Sequence, residues 1–183
     1  MGLKIIGTGA ALPSKVVTND DLTAHMETSD EWISQRTGIR QRRILSGSET
    51  LLELGTTAAK QAIGEAGITP DEIDLLIVST LGGDYKTPSM SCLLAGELGI
   101  DCITMDINMA CCGFLYALNT VTAYINAGMA KKALIVSTEA LSRLADWTDR
   151  STCILFGDAA AAAVLEQGDS DPIFSMQVTG KNG

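Results

Sequence analysis

Histidine is almost missing from this chain: 183 residues contain a single one, His25, in a polar stretch near the start. Five cysteines, at positions 92, 102, 111, 112 and 153, include no Cys-x-x-Cys pair, and with no second histidine to help them no zinc or other metal site is expected. Basic residues are also scarce, 13 Lys and Arg against 22 Asp and Glu for a formal charge of -9, which argues against a general nucleic-acid or anionic-membrane surface. No apolar run reaches the roughly 20 residues that a spanning helix needs, so no membrane segment is expected. The start runs directly into Leu3-Lys4-Ile5-Ile6-Gly7 without a basic leader, and Ile6 stands where myristoylation requires Ser or Thr. Thiols without a disulfide pattern read as reduced, in a cytoplasmic protein. Hydrophobic residues, by contrast, are abundant at 46%, enough to bury a substantial core in one domain, and no linker or low-complexity tract interrupts it.

Apolar runs alternate with segments of helical period. Strands are expected at Leu3 to Ala10, Ile73 to Thr80, Cys102 to Ile107, Ala133 to Thr138, Ala159 to Leu165 and Ile173 to Val178. Gly7-Thr8-Gly9 in the first of these invites another backbone to approach closely. Helix starts are signalled by Thr18-Asn19-Asp20-Asp21 and Ser29-Asp30-Glu31-Trp32. Glu49 to Ala66 places Leu51, Leu54, Ala58, Ala62 and Ala66 on one face and stops at Gly67. A further helix is expected to open at Pro88 and close at Gly99, and another to run from Cys112 to Ala127. Residues 117 to 127 are nearly apolar all round, which predicts a helix buried on every side. The alternation implies a parallel or mixed sheet with helices on both faces.

Two segments carry chemistry. In Ala110-Cys111-Cys112-Gly113-Phe114 a cysteine stands where a strand turns into a helix, and the positive end of that helix favours thiolate over thiol. Successive residues there project about 100° apart, so only one of the two thiols can face a given pocket. Small core residues are the bland alternative for both, and the better reading for Cys92, Cys102 and Cys153. A thiol acyl-transfer site also needs a base, and His25 is poorly placed for it. The second segment, Trp32 to Arg43, concentrates Arg36, Arg40, Arg42 and Arg43 in an acidic chain. Guanidinium groups suit phosphates and a tryptophan face suits a nucleobase, although a solvated charged loop has the same spacing.

The ordered set Ile5-Ile6-Gly7-Thr8-Gly9, Thr28-Ser29-Asp30-Glu31-Trp32-Ile33, Arg36-Thr37-Gly38-Ile39-Arg40, Ala110-Cys111-x-Gly113-Phe114, Thr148-Asp149-Arg150 and Phe156-Gly157-Asp158-Ala159 resembles the N-terminal half of the β-ketoacyl-acyl-carrier-protein synthase III family of the thiolase superfamily. The resemblance implies an α/β thiolase-like fold. Residues 1–183 would form an N-terminal domain, a mixed five-stranded sheet with helices on both faces, as one half of a five-layer sandwich. It implies that Cys111 is the nucleophile of a Cys-His-Asn triad whose histidine and asparagine belong to the second half, beyond Gly183. Thr28, Trp32, Arg36 and Thr37 would line a coenzyme A entrance, with Arg150 closing on the adenine from the other side. Thr87 would reach into the acyl pocket of a dimer partner, where a threonine leaves room for longer or branched primers, and Leu141 and Phe156 would line the substrate pocket. The activity implied is the initiating decarboxylative condensation of fatty-acid synthesis. Acyl-CoA and malonyl-acyl-carrier protein are the implied partners, in a cytoplasmic homodimer, with coenzyme A thioester as substrate and no metal or redox cofactor. A thiolase-fold acyltransferase of secondary metabolism, or a non-catalytic dimerisation or binding half, are the alternatives.

Overall fold

The computed structural model describes residues 2–168. The expected strand at Ile173 to Val178 lies outside them. Twelve elements follow in order: β1 (Gly2–Ala11), β2 (Lys15–Thr18), α1 (Asn19–Leu22), α2 (Asp30–Thr37), β3 (Gln41–Ile44), α3 (Leu51–Ala66), β4 (Leu75–Ser79), α4 (Met90–Leu98), β5 (Ile103–Ile107), α5 (Gly113–Asn126), β6 (Lys132–Ala140) and β7 (Asp158–Gly168). Five strands form one mixed sheet in the order β1-β7-β6-β4-β5. β4 pairs in parallel with both β5 and β6, and β7 runs antiparallel to β6 and to β1. β2 and β3 pair separately, joined across α1 and α2, and the sequence reading missed both because Gln41-Arg42-Arg43 carries no strand-like apolar pattern.

The helix ends obey local chemistry. The Thr50 hydroxyl accepts from the Glu53 N–H and the Glu53 carboxylate accepts from the Thr50 N–H, a reciprocal cap that starts α3, which ends at left-handed Gly67. At the start of α2 the cap is one-sided: the Ser29 hydroxyl accepts from the Trp32 N–H. Pro88 does not open α4: Ser89 is its N-cap, and the Asp106 carboxylate, reaching over from β5, accepts from the Met90 and Ser91 N–H groups at 2.8 Å each. A tertiary carboxylate and the serine supply the cap that the proline was expected to make unnecessary.

Strand alternation sorts the core into two layers. Leu76, Val78, Leu134, Val136 and Val164 pack against α3 and α4, whereas Leu75, Ile77, Ala133, Ile135 and Leu165 pack against α5. A Cβ on Gly7 or Gly9 would overlap the α3 backbone at Ala62 or Ala58, so β1 and α3 approach main chain to main chain as the Gly-Thr-Gly step predicts. A Cβ on Gly113 would overlap the Ser79 hydroxyl, which sets the first turn of α5 tight against β4. The expectation that residues 117–127 are buried on every side is corrected: Ala117, Val121 and Ile125 continue one buried stripe from Gly113, while Asn119, Ala123 and Asn126 are exposed, as are Phe114 and Leu115 one turn earlier. Helical period buries one face against the sheet, and no other described element covers the opposite one.

Candidate active site

Because β4, β5 and β6 are parallel, their carboxyl ends gather at one edge of the sheet, and the crossovers leave on opposite faces, through α4 and then through α5. Crevices at such a switch of direction are where α/β sheets bind ligands. The Ala110–Cys112 turn stands there, a single 3₁₀ turn between β5 and α5. Ala110 has φ of 47°, the one left-handed non-glycine residue among those described, so backbone strain is concentrated beside Cys111. Cys111 and Cys112 are both exposed, which removes the reading of either as a core residue.

The other thiols divide. Cys153 is buried and Cys102 half-buried, as expected of core residues, and burial pushes both thiols up. Cys92 is corrected: it is exposed in the first turn of α4, and hydrogen bonding with Ser89 and Thr104 holds its thiol below the usual range. No cluster of three or more His, Cys, Asp or Glu that could hold a metal ion occurs among the described residues. None of their helices is long and apolar enough to cross a membrane.

The arginine cluster proves to be four different environments. Arg42 is buried and donates to the Asn19 side-chain oxygen (2.7 Å) and to the carbonyls of Val17 and Ile154. Arg43, on the opposite face of β3, donates to the carbonyls of Pro13 and Ser14, and Arg40 pairs with Asp30 at 3.4 Å. Arg36 alone lies over Trp32, 4.2 Å from the ring centroid. Arg150 lies 4.7 Å from the same centroid, so one indole is attended by two cations.

Arg36 reaches Trp32 by helical spacing, four residues along α2. Arg150 arrives from 118 positions further on. Its segment is shaped by Asp146, which accepts from the Thr148 N–H and hydroxyl, and by Asp149, which accepts from the N–H and hydroxyl of Ser151. Those bonds, the Ser151 hydroxyl foremost, hold the Asp149 carboxyl below its usual range. The segment docks through a small third core of Val17, Leu22, Ile33, Cys153 and Ile154, against which Trp32 and Trp147 pack. The Arg150 guanidinium also donates to the Glu27 carbonyl at 3.0 Å, next to Thr28, whose buried hydroxyl oxygen has no hydrogen-bond partner. Thr37 is occupied locally: its hydroxyl donates to the Ile33 carbonyl and accepts from the Ile39 N–H. Thr28, Trp32, Arg36 and Arg150 therefore form one group, with Thr37 finishing the helix that carries two of them.

The three pocket candidates sit on three separate segments. Thr87 is exposed in the loop between β4 and α4, Leu141 is half-buried in a 3₁₀ turn after β6, and Phe156 is exposed just before β7. Sequence reasoning missed the knot that joins the last two. Asp158, 2% exposed, accepts from the N–H and the hydroxyl of Ser142 and from the Leu45 N–H. Its place between an aromatic-glycine pair and an alanine run was visible, but its partners were not. A groove of about 520 Å³ runs between the loop and the end of β5, lined by residues that include Leu81, Tyr85, Asp106 and Asn108. His25 lines a different groove with Lys15, Leu22 and Trp147, and neither Cys111 nor Cys112 lines it.

Known proteins share this fold. The family model for 3-oxoacyl-[acyl-carrier-protein (ACP)] synthase III matches residues 105–182. A curated relative from Clostridium acetobutylicum, named beta-ketoacyl-[acyl-carrier-protein] synthase III, is 48% identical over 172 residues, 93% of this chain and 53% of the relative. The crystal structure of 3-oxoacyl-[acyl-carrier-protein] synthase III from Aquifex aeolicus matches with a TM-score of 0.89 and 46% identity, over 92% of this chain and 55% of that one. A priming beta-ketosynthase from the R1128 polyketide biosynthetic pathway matches at 0.88 and 38%, over 92% and 51%. Strand order, helix layers and these matches define a thiolase-like α/β fold. Within that class the chain is similar to the β-ketoacyl-[acyl-carrier-protein] synthase III family, and it spans about half the length of the curated relatives it matches.

Proposed function

We propose that this chain is the N-terminal, nucleophile-bearing domain of an initiating condensing enzyme of bacterial fatty-acid synthesis. The observation that carries the reading is the exposed Cys111 on a strained turn at the carboxyl end of β5, immediately before α5. The Cys111 thiolate attacks the carbonyl carbon of an acyl-CoA thioester. Backbone amides, that of Cys111 among them, stabilise the resulting oxyanion. The carbon-sulfur bond to coenzyme A then breaks, leaving the acyl group on Cys111 and the electron pair on the departing thiolate. Malonyl-acyl-carrier protein next loses carbon dioxide, its carbanion attacks the acyl-enzyme, and Cys111 leaves as thiolate. The family's histidine and asparagine, which assist that decarboxylation, have no match in these 183 residues.

Trp32 with Arg36 and Arg150 holds the coenzyme A, ring against adenine and guanidinium groups toward phosphates, with Thr28 and Thr37 beside them; the paired stacking supports this. Thr87, contributed across a homodimer, together with Leu141 and Phe156, shapes the acyl pocket. A threonine wall admits longer or branched primers, each methylene being worth about 1 to 3 kcal/mol of discrimination. Coenzyme A thioester enters as substrate, no resident cofactor is invoked, and the protein works in the cytoplasm.

Labelling the intact protein with radioactive acyl-CoA tests the nucleophile. Cys111→Ala is expected to abolish labelling and Cys112→Ala to retain it; full labelling of Cys111→Ala overturns the assignment. The likeness to a priming ketosynthase of a polyketide pathway favours a second reading, a thiolase-fold acyltransferase of secondary metabolism. Profiling turnover across acyl-CoA primers and carrier-protein acceptors separates the two.

A further inference from the structure

One residue's backbone at the edge of the candidate site is gripped from both sides. Leu81 stands where β4 leaves the sheet. Its N–H donates to the Glu139 carboxylate at 2.8 Å, and its carbonyl accepts from the Asn108 side-chain amide at 3.2 Å. Glu139 is the penultimate residue of β6 and Asn108 the first beyond β5, three positions before Cys111. β6 and the first residue beyond β5 thus each send one side chain to the Leu81 backbone, on successive peptide groups. Downstream, Asp84 accepts from the Leu52 N–H at 3.1 Å and from the Arg143 guanidinium at 2.8 Å. Gly82 and Gly83 lie between these two fixings, so the loop's own side chains do little to define its path.

Glu139 is half-buried and borders a cavity of about 160 Å³ with Leu81, Gly83, Arg143 and Leu144. Burial pushes its carboxyl up while the Leu81 N–H pulls it back. Arg143 is the one other charged side chain lining that cavity, and its guanidinium is engaged by Asp84. No step of the condensation uses Glu139, yet a titratable group is kept where a neutral side chain of the same shape would bury more readily.

We propose that Glu139 is a positioning residue for the acyl site: by holding the Leu81 backbone opposite Asn108 it sets the 81–88 loop, and with it the position from which Thr87 is presented to the acyl pocket of a dimer partner. This rests on the reading of Thr87 as a wall of the partner's acyl pocket.

The test uses the intact protein and two variants. Glu139→Ala removes the acceptor, and Glu139→Gln keeps an oxygen for the Leu81 N–H but not the charge. Amide hydrogen exchange is followed over the 80–89 peptide, together with kcat/KM for acetyl-CoA and for a longer acyl-CoA. Glu139→Ala is expected to speed exchange of that peptide roughly tenfold or more, the size of a lost hydrogen bond to a charged acceptor, and to change the ratio of the two kcat/KM values several-fold. Glu139→Gln is expected to restore most of both. Unchanged exchange in Glu139→Ala overturns the clamp. Faster exchange with an unchanged primer ratio overturns its link to the acyl site. A wild-type protein that takes no acyl group defeats the proposed function and not the clamp, which exchange reads by itself.

Discussion

The two faces of the five-stranded sheet are packed to different standards. Against α3 the contact is main chain to main chain at Gly7 and Gly9, and α4 closes the rest of that layer over Leu76, Leu134 and Val136. Against α5 only a four-residue stripe is buried, and large apolar side chains beside the Ala110–Cys112 turn stay exposed. The strands themselves are covered on both faces, since every residue of β4 is buried. The difference therefore lies in the covering helix. One layer is a sealed support, and the other carries the Ala110–Cys112 turn at its rim.

Substitutions can break this comparison, and the largest effect belongs to the sealed face. Gly9→Val forces a branched side chain into the Ala58 carbonyl of α3, and a loss above about 4 kcal/mol, or no folded protein, is expected from urea unfolding. A midpoint within error of wild type would mean that β1 and α3 are not in backbone contact. Leu134→Ala and Leu75→Ala then compare the layers at fixed chemistry, both side chains being wholly buried. The first is expected to cost about 4 kcal/mol and the second about 3, because a layer covered by one helix collapses more easily around a cavity. A reversed order would show that the α5 layer is the stiffer one.

Smaller and more local is Gly113→Ala, which sets a methyl against the Ser79 hydroxyl and is expected to cost about 1 to 3 kcal/mol. Adding Ser79→Ala should return part of that loss, and additive penalties would place the strain elsewhere. The smallest effect is in pH. Burial raises the folded-state pKa of Glu139, so its contribution to stability is full below the unfolded value and is lost as pH rises through the folded one. The Tm of Glu139→Gln relative to wild type should accordingly climb with pH over that window. A difference that stays flat would mean that Glu139 is not desolvated.

Much of the fold was legible. Most expected strands lie within a few residues of the observed ones, and the caps at Thr18 and Ser29 stand where the residue types implied. The misreadings share a cause. Pro88 reads as the opening of α4 although Ser89 and a carboxylate from another strand cap it, and residues 117–127 read as buried all round from composition, although burial depends on what packs against a helix. At the site, Cys111 between strand and helix and the Trp32 to Arg36 spacing could be read in one dimension. The division of labour among the four arginines could not, because Arg42 and Arg43 differ only in which face of β3 they occupy.

What the sequence determined by itself is whatever a few residues settle among themselves. A hydroxyl three positions before an N–H starts a helix, alternating apolar residues make a two-faced strand, and an arginine four places after a tryptophan covers one side of its ring. Tertiary structure decided the rest: the second cation on Trp32, the donors that surround Asp158, and the Leu81 backbone held by Glu139 and Asn108. Those partners lie as far as 118 residues apart, and no local preference brings them within 3 to 5 Å. They meet because burying both faces of one sheet leaves the connecting segments few places to go.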